Sequence, residues 1–410
     1  VRGHRNEPIA VVGAGLKAPG GCGPNQLWQA LCAGRSFAEP FVDDRLGEVG
    51  VLVSRAGGFD PAGYLSPVEI RRLDRTHQLA IGAAQDALDS FDGELPAADR
   101  CAVVCGIGFG SAATHEAALA SLAADGLFGL HPLTAPMLMP SGPAALLAIR
   151  FGFTGPNLTI AGACAAGAAA IGEAAELLRR GAADLVLAGG VDSLVNYSAL
   201  CAFLRLDAMT RRIDDPATAC RPFDRYRDGF LMGEGAGFVV LQRLPAAGRE
   251  PLGQLAGYGN CADAHSLVAP APDGSGALRA MRLALADAGV SPAEVSQVSA
   301  HGTSTQLNDR IEADALSTLF GGRTPPVTAI KGGIGHLIGG SGAVAAIMAL
   351  WSLRSRQLPP IAGLQNLDPA ISIDVVRDRP RPVDDGYALV DAFGFGGVNT
   401  VLLLAGPPTG

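Results

Sequence analysis

The chain has 410 residues, 48% hydrophobic and 17% charged, with a formal net charge of −8. That length and composition suit a large buried core and exclude intrinsic disorder. The net acidity argues against a nucleic-acid groove or an anionic membrane surface as the main partner.

The first element, I-A-V-V-G-A-G-L-K, is a strand that also fits the dinucleotide pattern G-x-G-x-x-A at Gly13, Gly15 and Ala18. A phosphate-binding loop needs a helix to start at its second glycine, and Pro19, Gly20, Gly21, Gly23 and Pro24 prevent one. A strand entering an irregular loop is therefore expected, with no dinucleotide site. The polar start Val1 to Glu7 lacks the apolar run of a secretion signal, so a cytoplasmic location is expected. A helix is expected over Pro67 to Ser90, and A-V-V-C supplies the next strand.

L-T-I-A is then a strand, and Cys164 opens a helix that runs to Gly181, where a left-handed cap is easiest. A thiol at a helix N-terminus faces unpaired N–H groups, which favour the thiolate and so a nucleophile. Gly162, Ala163, Ala165, Ala166 and Gly167 leave room around the sulfur. An incidental buried thiol fits this stretch equally well, since free cysteines are among the most buried residues. Strands L-V-L-A and F-V-V-L follow, and P-A-A-G-R-E-P-L-G after Leu244 marks a seam.

Beyond the seam, helices are expected over Gly276 to Gly289, Asp309 to Phe320 and Ser341 to Ser355. The strand V-S-A ends in His301, and T-A-I ends in Lys331 with His336 on the glycine-rich loop that follows. Two histidines, a lysine and the cysteine thus sit at carboxyl ends of predicted strands, where open α/β sheets place their sites. The run from Lys331 to Arg354 lacks charge, but its glycines argue for a loop and a buried helix over a membrane span. In D-A-F-G-F-G-G-V-N-T, Asp391 to Thr400, the glycines make a tight turn whose N–H groups can stabilise an oxyanion. The eight cysteines include no C-x-x-C pair or Cys/His cluster, so neither a metal site nor disulfides are expected. The order of elements is similar before and after the seam, which divides the chain into 1–244, carrying the cysteine, and 245–410, carrying both histidines.

Over almost its whole length the chain resembles the β-ketoacyl-acyl carrier protein synthases, the decarboxylating condensing enzymes of fatty-acid and polyketide synthesis. The resemblance rests on G-A-C-A-A-G, R-P-F-D-R-Y-R-D-G-F-L-M-G-E-G-A-G, H-G-T-S-T, Lys331 to His336, and F-G-F-G-G-V-N. It is closest to the free-standing type II form. It implies a thiolase fold: two βαβαβαββ halves in five layers, αβαβα, in a dimer. The implied reaction condenses a malonyl extender with an acyl chain held on Cys164, with His301 and His336 promoting decarboxylation. Backbone N–H groups of Cys164 and Phe393 would form a second oxyanion hole, with Phe393 also the gate. Lys331 and Glu312 match a supporting ion pair and Asp309 a neighbouring acid.

By the same resemblance, Thr303 and Thr305 would bind a phosphopantetheine arm and Ile107 would line the acyl pocket at the dimer interface. Arg71, Arg72, Arg211 and Arg212 would dock an acidic acyl carrier protein. The implied partners are that carrier protein and either a second copy or a chain-length-factor paralogue, with no cofactor beyond the carrier's own arm. Gly162 and Gly332 depart from the family pattern, since hydroxyl residues are usual at both positions. The alternatives are a non-elongating acyltransferase, which the two histidines disfavour, and a chain-length partner subunit, which Cys164 disfavours. A thiolase proper would carry a second cysteine near the C-terminal glycine loop.

Overall fold

Two sets of five strands follow the same path in the computed structural model, which describes residues 7–244 and 250–408. The first set is β1 (Ile9–Lys17), β2 (Cys101–Ile107), β3 (Asn157–Ala161), β4 (Leu185–Ser193) and β5 (Met232–Arg243). The second is β6 (Gly253–Ala262), β7 (Val295–Ser299), β8 (Val327–Thr328), β9 (Tyr387–Gly394) and β10 (Val398–Ala405). Across each sheet the order is third, second, fourth, fifth, first. In both, the second strand lies parallel to the third and fourth while the remaining pairs are antiparallel. Pairing of Ile9–Val11 with Gly253–Leu255 joins the sheets edge to edge. The duplicated thiolase-type α/β architecture is thus present, while Val1 to Asn6 and Pro245 to Arg249 of the seam lie outside the described residues.

The layers follow from which helix faces are apolar. On the outside of the first sheet pack α1 (Arg75–Asp89) and α2 (Gly142–Phe151); on the outside of the second, α4 (Ser275–Ala288) backed by α5 (Gln306–Leu319). Between the sheets, α3 (Ala166–Arg179) and α6 (Ser341–Ser355) touch each other and strands of both. These two are buried nearly all round, as central helices must be. They occupy equivalent places, each following the third strand of its half, so the segments bearing Cys164 and His336 enter the middle layer from corresponding ends.

The small residues around Cys164 have a packing reason. A Cβ on Gly167 would run into the carbonyl oxygen of Gly339, and one on Gly342 would crowd the Ala168 backbone, so the two central helices cross at backbone contact. Gly13 and Gly15 behave alike: side chains there would strike the Ala87 and Ala83 carbonyls of α1. The glycines of the first motif serve strand–helix contact, β1 continues through them to Lys17 with a register shift against β5 between Val11 and Gly13, and the next helix waits until Pro24.

The segment Pro67 to Ser90 is two helices, not one. Pro67–Arg72 stops at an extended Leu73, and Asp74 then caps α1 by accepting the Thr76 N–H at 2.8 Å. Among the described residues no helix is long and apolar enough to cross a membrane.

Candidate active site

Cys164, His301 and His336 line one cavity of about 370 Å³. Cys164 follows β3, His301 follows β7, and His336 follows the single turn Lys331–Ile334 beyond β8. The expected grouping at strand ends is what the duplicated topology produces. The imidazoles meet edge to face with centroids 5.7 Å apart, and Phe230 presses on His336 at 5.1 Å.

Cys164 does not open the α-helix directly. It sits in a 3-10 turn, Ala163–Ala165, with Ala163 held at φ 47°. Ser304 (φ 67°) and Ile338 (φ 48°), on the loops after the two histidines, share this uncommon conformation. Such backbone strain persists only where the surroundings hold it, and here it gathers around one cavity. The thiolate expected from the helix end is also corrected. Burial pushes the Cys164 thiol up to about 11, outweighing the Lys331 charge and the backbone N–H groups of Phe395 and Cys164.

The N–H group that reaches the sulfur lies two residues beyond the one expected. Phe395, not Phe393, directs its backbone N–H at the sulfur. The turn between β9 and β10 explains why: Gly396 and Gly397 both take positive φ, and Gly394 packs against the backbone of Gly162 to Ala165. The Phe393 ring instead lies 5.6 Å from His301, while the Phe395 ring stacks on Phe203 at 6.4 Å.

Both imidazoles are buried and held far below their ordinary range, chiefly by desolvation and further by the Lys331 charge. They are neutral. Lys331 Nζ lies 3.3 Å from His301 Nδ1 and donates to the His301 carbonyl oxygen at 2.5 Å. His336 Nδ1 accepts the Ile338 N–H at 3.2 Å and pairs with Ser341 Oγ at 2.9 Å. Each Nδ1 thus faces a donor, which leaves the ring proton on Nε2 in both. Two neutral N–H donors on one cavity can hold a developing enolate oxygen.

The expected pairing of Lys331 with Glu312 takes another form: among the described residues no ion pair joins them. Glu312 accepts the backbone N–H of His301 at 2.6 Å and of Gly302 at 2.8 Å. Asp309, fully buried, accepts from the N–H groups of Phe223 and Ser304 at 2.8 and 3.1 Å, with Arg227 3.7 Å away. Both acids hold the loop after β7. Thr303 and Thr305 line the cavity with their hydroxyls 2.9 Å apart.

Ile107 is packed in the core at the end of β2 and does not reach the cavity. Arg211 pairs at 3.0 Å with Asp207, a cavity residue, and Arg212 follows it. Arg71 and Arg72 are exposed in the last turn of Pro67–Arg72, away from the cavity lining. Sequence reasoning missed Asp192, which accepts N–H groups of Gly108, Phe109, Gly110 and Gly339 and ties the loop after β2 to that after His336. It also missed Ser341, legible only as the start of α6.

Residues 6–247 match a family model described as beta-ketoacyl synthase, N-terminal domain, and residues 252–365 its C-terminal domain. The 3-oxoacyl-[acyl-carrier-protein] synthase 2 of Staphylococcus aureus (strain COL) is 34% identical over 414 residues, covering 97% of this chain and 98% of its own. Among solved structures, the ishigamide ketosynthase/chain length factor superposes with a TM-score of 0.89 at 30% identity, covering 98% of this chain and 99% of that one. A type II polyketide acyl-carrier protein in complex with its ketosynthase bound to the hexaketide gives 0.90 at 25% identity, covering 98% and 100%.

Proposed function

The chain belongs to the β-ketoacyl synthase family, and on that premise we propose how its residues divide the work of a decarboxylative Claisen condensation. The chain is a condensing enzyme of the acyltransferase class, acting in fatty-acid or polyketide synthesis. The sulfur of Cys164 attacks an acyl thioester on a carrier protein; its S–H proton leaves with the carrier's thiol, and the acyl group stays on Cys164. During this step the carbonyl oxygen becomes an oxyanion held by the N–H groups of Cys164 and Phe395.

A malonyl thioester then loses CO2, and its electron pair passes to an enolate whose oxygen accepts from His301 Nε2 and His336 Nε2. The enolate carbon attacks the acyl carbonyl on Cys164, the C–S bond breaks, and the thiolate regains a proton. Neutral imidazoles suit this role, because donation without ionisation requires no proton transfer in the barrier step. Lys331, Glu312 and Asp309 hold the histidine loop, and Thr303 and Thr305 receive the phosphopantetheine arm. Phe393 and Phe395 form the aromatic face of the cavity by which the acyl group enters.

The observation that carries this reading is the single cavity shared by Cys164 and both Nε2–H imidazoles. Incubation with an acyl-carrier thioester is expected to add one acyl mass, lost in Cys164→Ala. CO2 release from malonyl-carrier protein is expected to fall sharply in His301→Ala and His336→Ala; normal release in both would reject their roles.

The carrier protein docks on Arg211 and Arg212 near the cavity and on Arg71 and Arg72, which carry no ion pair among the described residues. A second chain of the same fold, a further copy or a chain-length paralogue, covers β3, the open edge of the first sheet. What supports this is that open edge, with Phe109, Leu127, Phe128 and Ile149 exposed in the same half, Phe128 being 95% exposed. Sedimentation of the purified chain as a dimer supports the self-pair, and a monomer that pairs only with the paralogue supports the other. All eight cysteines stand unpaired, which supports a reducing compartment, the cytoplasm.

A further inference from the structure

Asp391 lies on β9, two residues before Phe393, whose ring packs on His301. Its side chain is buried, and among the described residues no N–H or O–H group donates to either carboxyl oxygen. The carboxyl facing it is that of Glu312 on α5. Glu312 already has donors: the N–H groups of His301 and Gly302 donate to it, and the Asn308 amide adds a third bond at 3.2 Å, which leaves one acceptor site of the carboxylate open.

Around β9 stand Glu312, His301 after β7, Cys164 in the turn before α3, and Lys331. Of these, Glu312 is the group that acts on the charge of Asp391 besides burial itself, and Lys331 and Asp309 act on Glu312 in turn. Two buried carboxylates in contact cannot both ionise without a counter-charge. The proton settles on the group whose ionised form has no donors, because an unsolvated, unbonded carboxylate is the costliest species available.

We propose that Asp391 is a positioning residue that keeps its proton at neutral pH and donates it in a hydrogen bond to Glu312, which carries the charge of the pair and holds the His301–Gly302 backbone in place. Burial and the Glu312 carboxyl both hold Asp391 well above the ordinary carboxylate range, and burial raises Glu312 as well, to about 7, against the backbone N–H groups of Gly302 and His301 that pull it down, so the pair's shared proton rests on Asp391. The effect on rate rests on the role assigned to His301; the shared proton does not. As pH rises and the pair loses that proton, two like charges repel across the acid that fixes the loop.

Asparagine at this position supplies an N–H donor of the same shape that cannot ionise, whereas leucine fills the volume and donates nothing. Infrared difference spectra of the purified protein are expected to contain a protonated-carboxyl carbonyl band that disappears in Asp391→Asn. Decarboxylation of malonyl-carrier protein in Asp391→Asn is expected to stay near the wild-type rate at neutral pH and to lose part of the alkaline fall. Asp391→Leu is expected to lower kcat about tenfold with little change in KM, one lost buried hydrogen bond expressed as rate.

The melting temperature offers a readout that does not involve activity. A carboxyl whose folded pKa is raised contributes stability that is complete below its unfolded value, about 3.9, and is lost as pH rises through the folded value. Asp391→Asn is therefore expected to gain on the wild type in melting temperature as pH rises. A wild-type spectrum without the protonated band, together with unchanged pH profiles of rate and melting in Asp391→Asn, overturns the proposal. Failure of the His301 assignment would look different: normal decarboxylation in His301→Ala, with the band and its loss in Asp391→Asn both intact.

Discussion

Lys331 engages His301 at two points, donating to its carbonyl oxygen at 2.5 Å while standing 3.3 Å from its ring Nδ1. One ammonium therefore fixes both the backbone position and the tautomer of a single histidine. Lys331→Met removes the donor at Nδ1 and the charge that helps keep the ring neutral. Loss of a charge-assisted bond of about 1.5–3 kcal/mol corresponds to a ~10- to 150-fold fall in CO2 release from malonyl-carrier protein. Acyl transfer to Cys164 should fall much less, and equal losses in both half-reactions would reject a role specific to His301.

Alkylation reports the state of the thiol. With Cys164 pushed up to about 11 by burial, its reaction with a neutral alkylating agent should rise about tenfold per pH unit across neutral and mildly alkaline pH. The Lys331 charge pulls the thiol down, so Lys331→Met should move the titration further up. A rate already at its plateau near neutral pH would show that the resting enzyme holds a thiolate.

Ser341 holds the second histidine. Its Oγ pairs with His336 Nδ1 and accepts the Leu337 N–H, both at 2.9 Å. Ser341→Ala leaves the Ile338 N–H as the one donor to Nδ1 and should slow decarboxylation about 5-fold, the equivalent of ~1 kcal/mol. Cysteine acylation should be unaffected, and a matching loss there would point to general disruption of α6.

The two glycines that depart from the family pattern should tolerate serine differently. A side chain on Gly332 would run into the carbonyl oxygen of Ala362, whereas one on Gly162 would meet Ala166 Cα at 3.2 Å and its N at 3.4 Å. Gly332→Ser should cost about 2–3 kcal/mol of stability and Gly162→Ser less than about 1 kcal/mol. Denaturant midpoints measure both. Equal costs would mean that the contact at Gly332 relaxes freely.

Much of the architecture was legible from local pattern. Runs such as I-A-V-V and V-L-L-L mark strands buried on both faces, Gly289 caps α4 with φ 67°, and the chemistry-bearing residues lie just beyond strand ends. Less legible was β6, whose residues G-Q-L-A-G-Y-G-N-C-A lack a β-branched run. It forms because β1 and β10 flank it and Gly257 and Gly259 admit α4 to backbone contact.

By itself the sequence determined which residue types were available and roughly where along the chain: Cys164, His301 and His336, each next to small or polar residues that cannot bury them locally. Only the tertiary structure decided their state. Burial turned the expected thiolate into a neutral thiol, because desolvation outweighs the few N–H groups at the turn. Lys331 reached the His301 carbonyl instead of Glu312, and the hairpin turned the N–H of Phe395, in place of Phe393, toward the sulfur. These outcomes depend on distances between elements that are remote in the chain, and on the turn after β9, where Gly396 and Gly397 at positive φ set the direction of the Phe395 backbone. Local sequence carries period and propensity; solvent exclusion and partner choice arise only when the two halves close on each other.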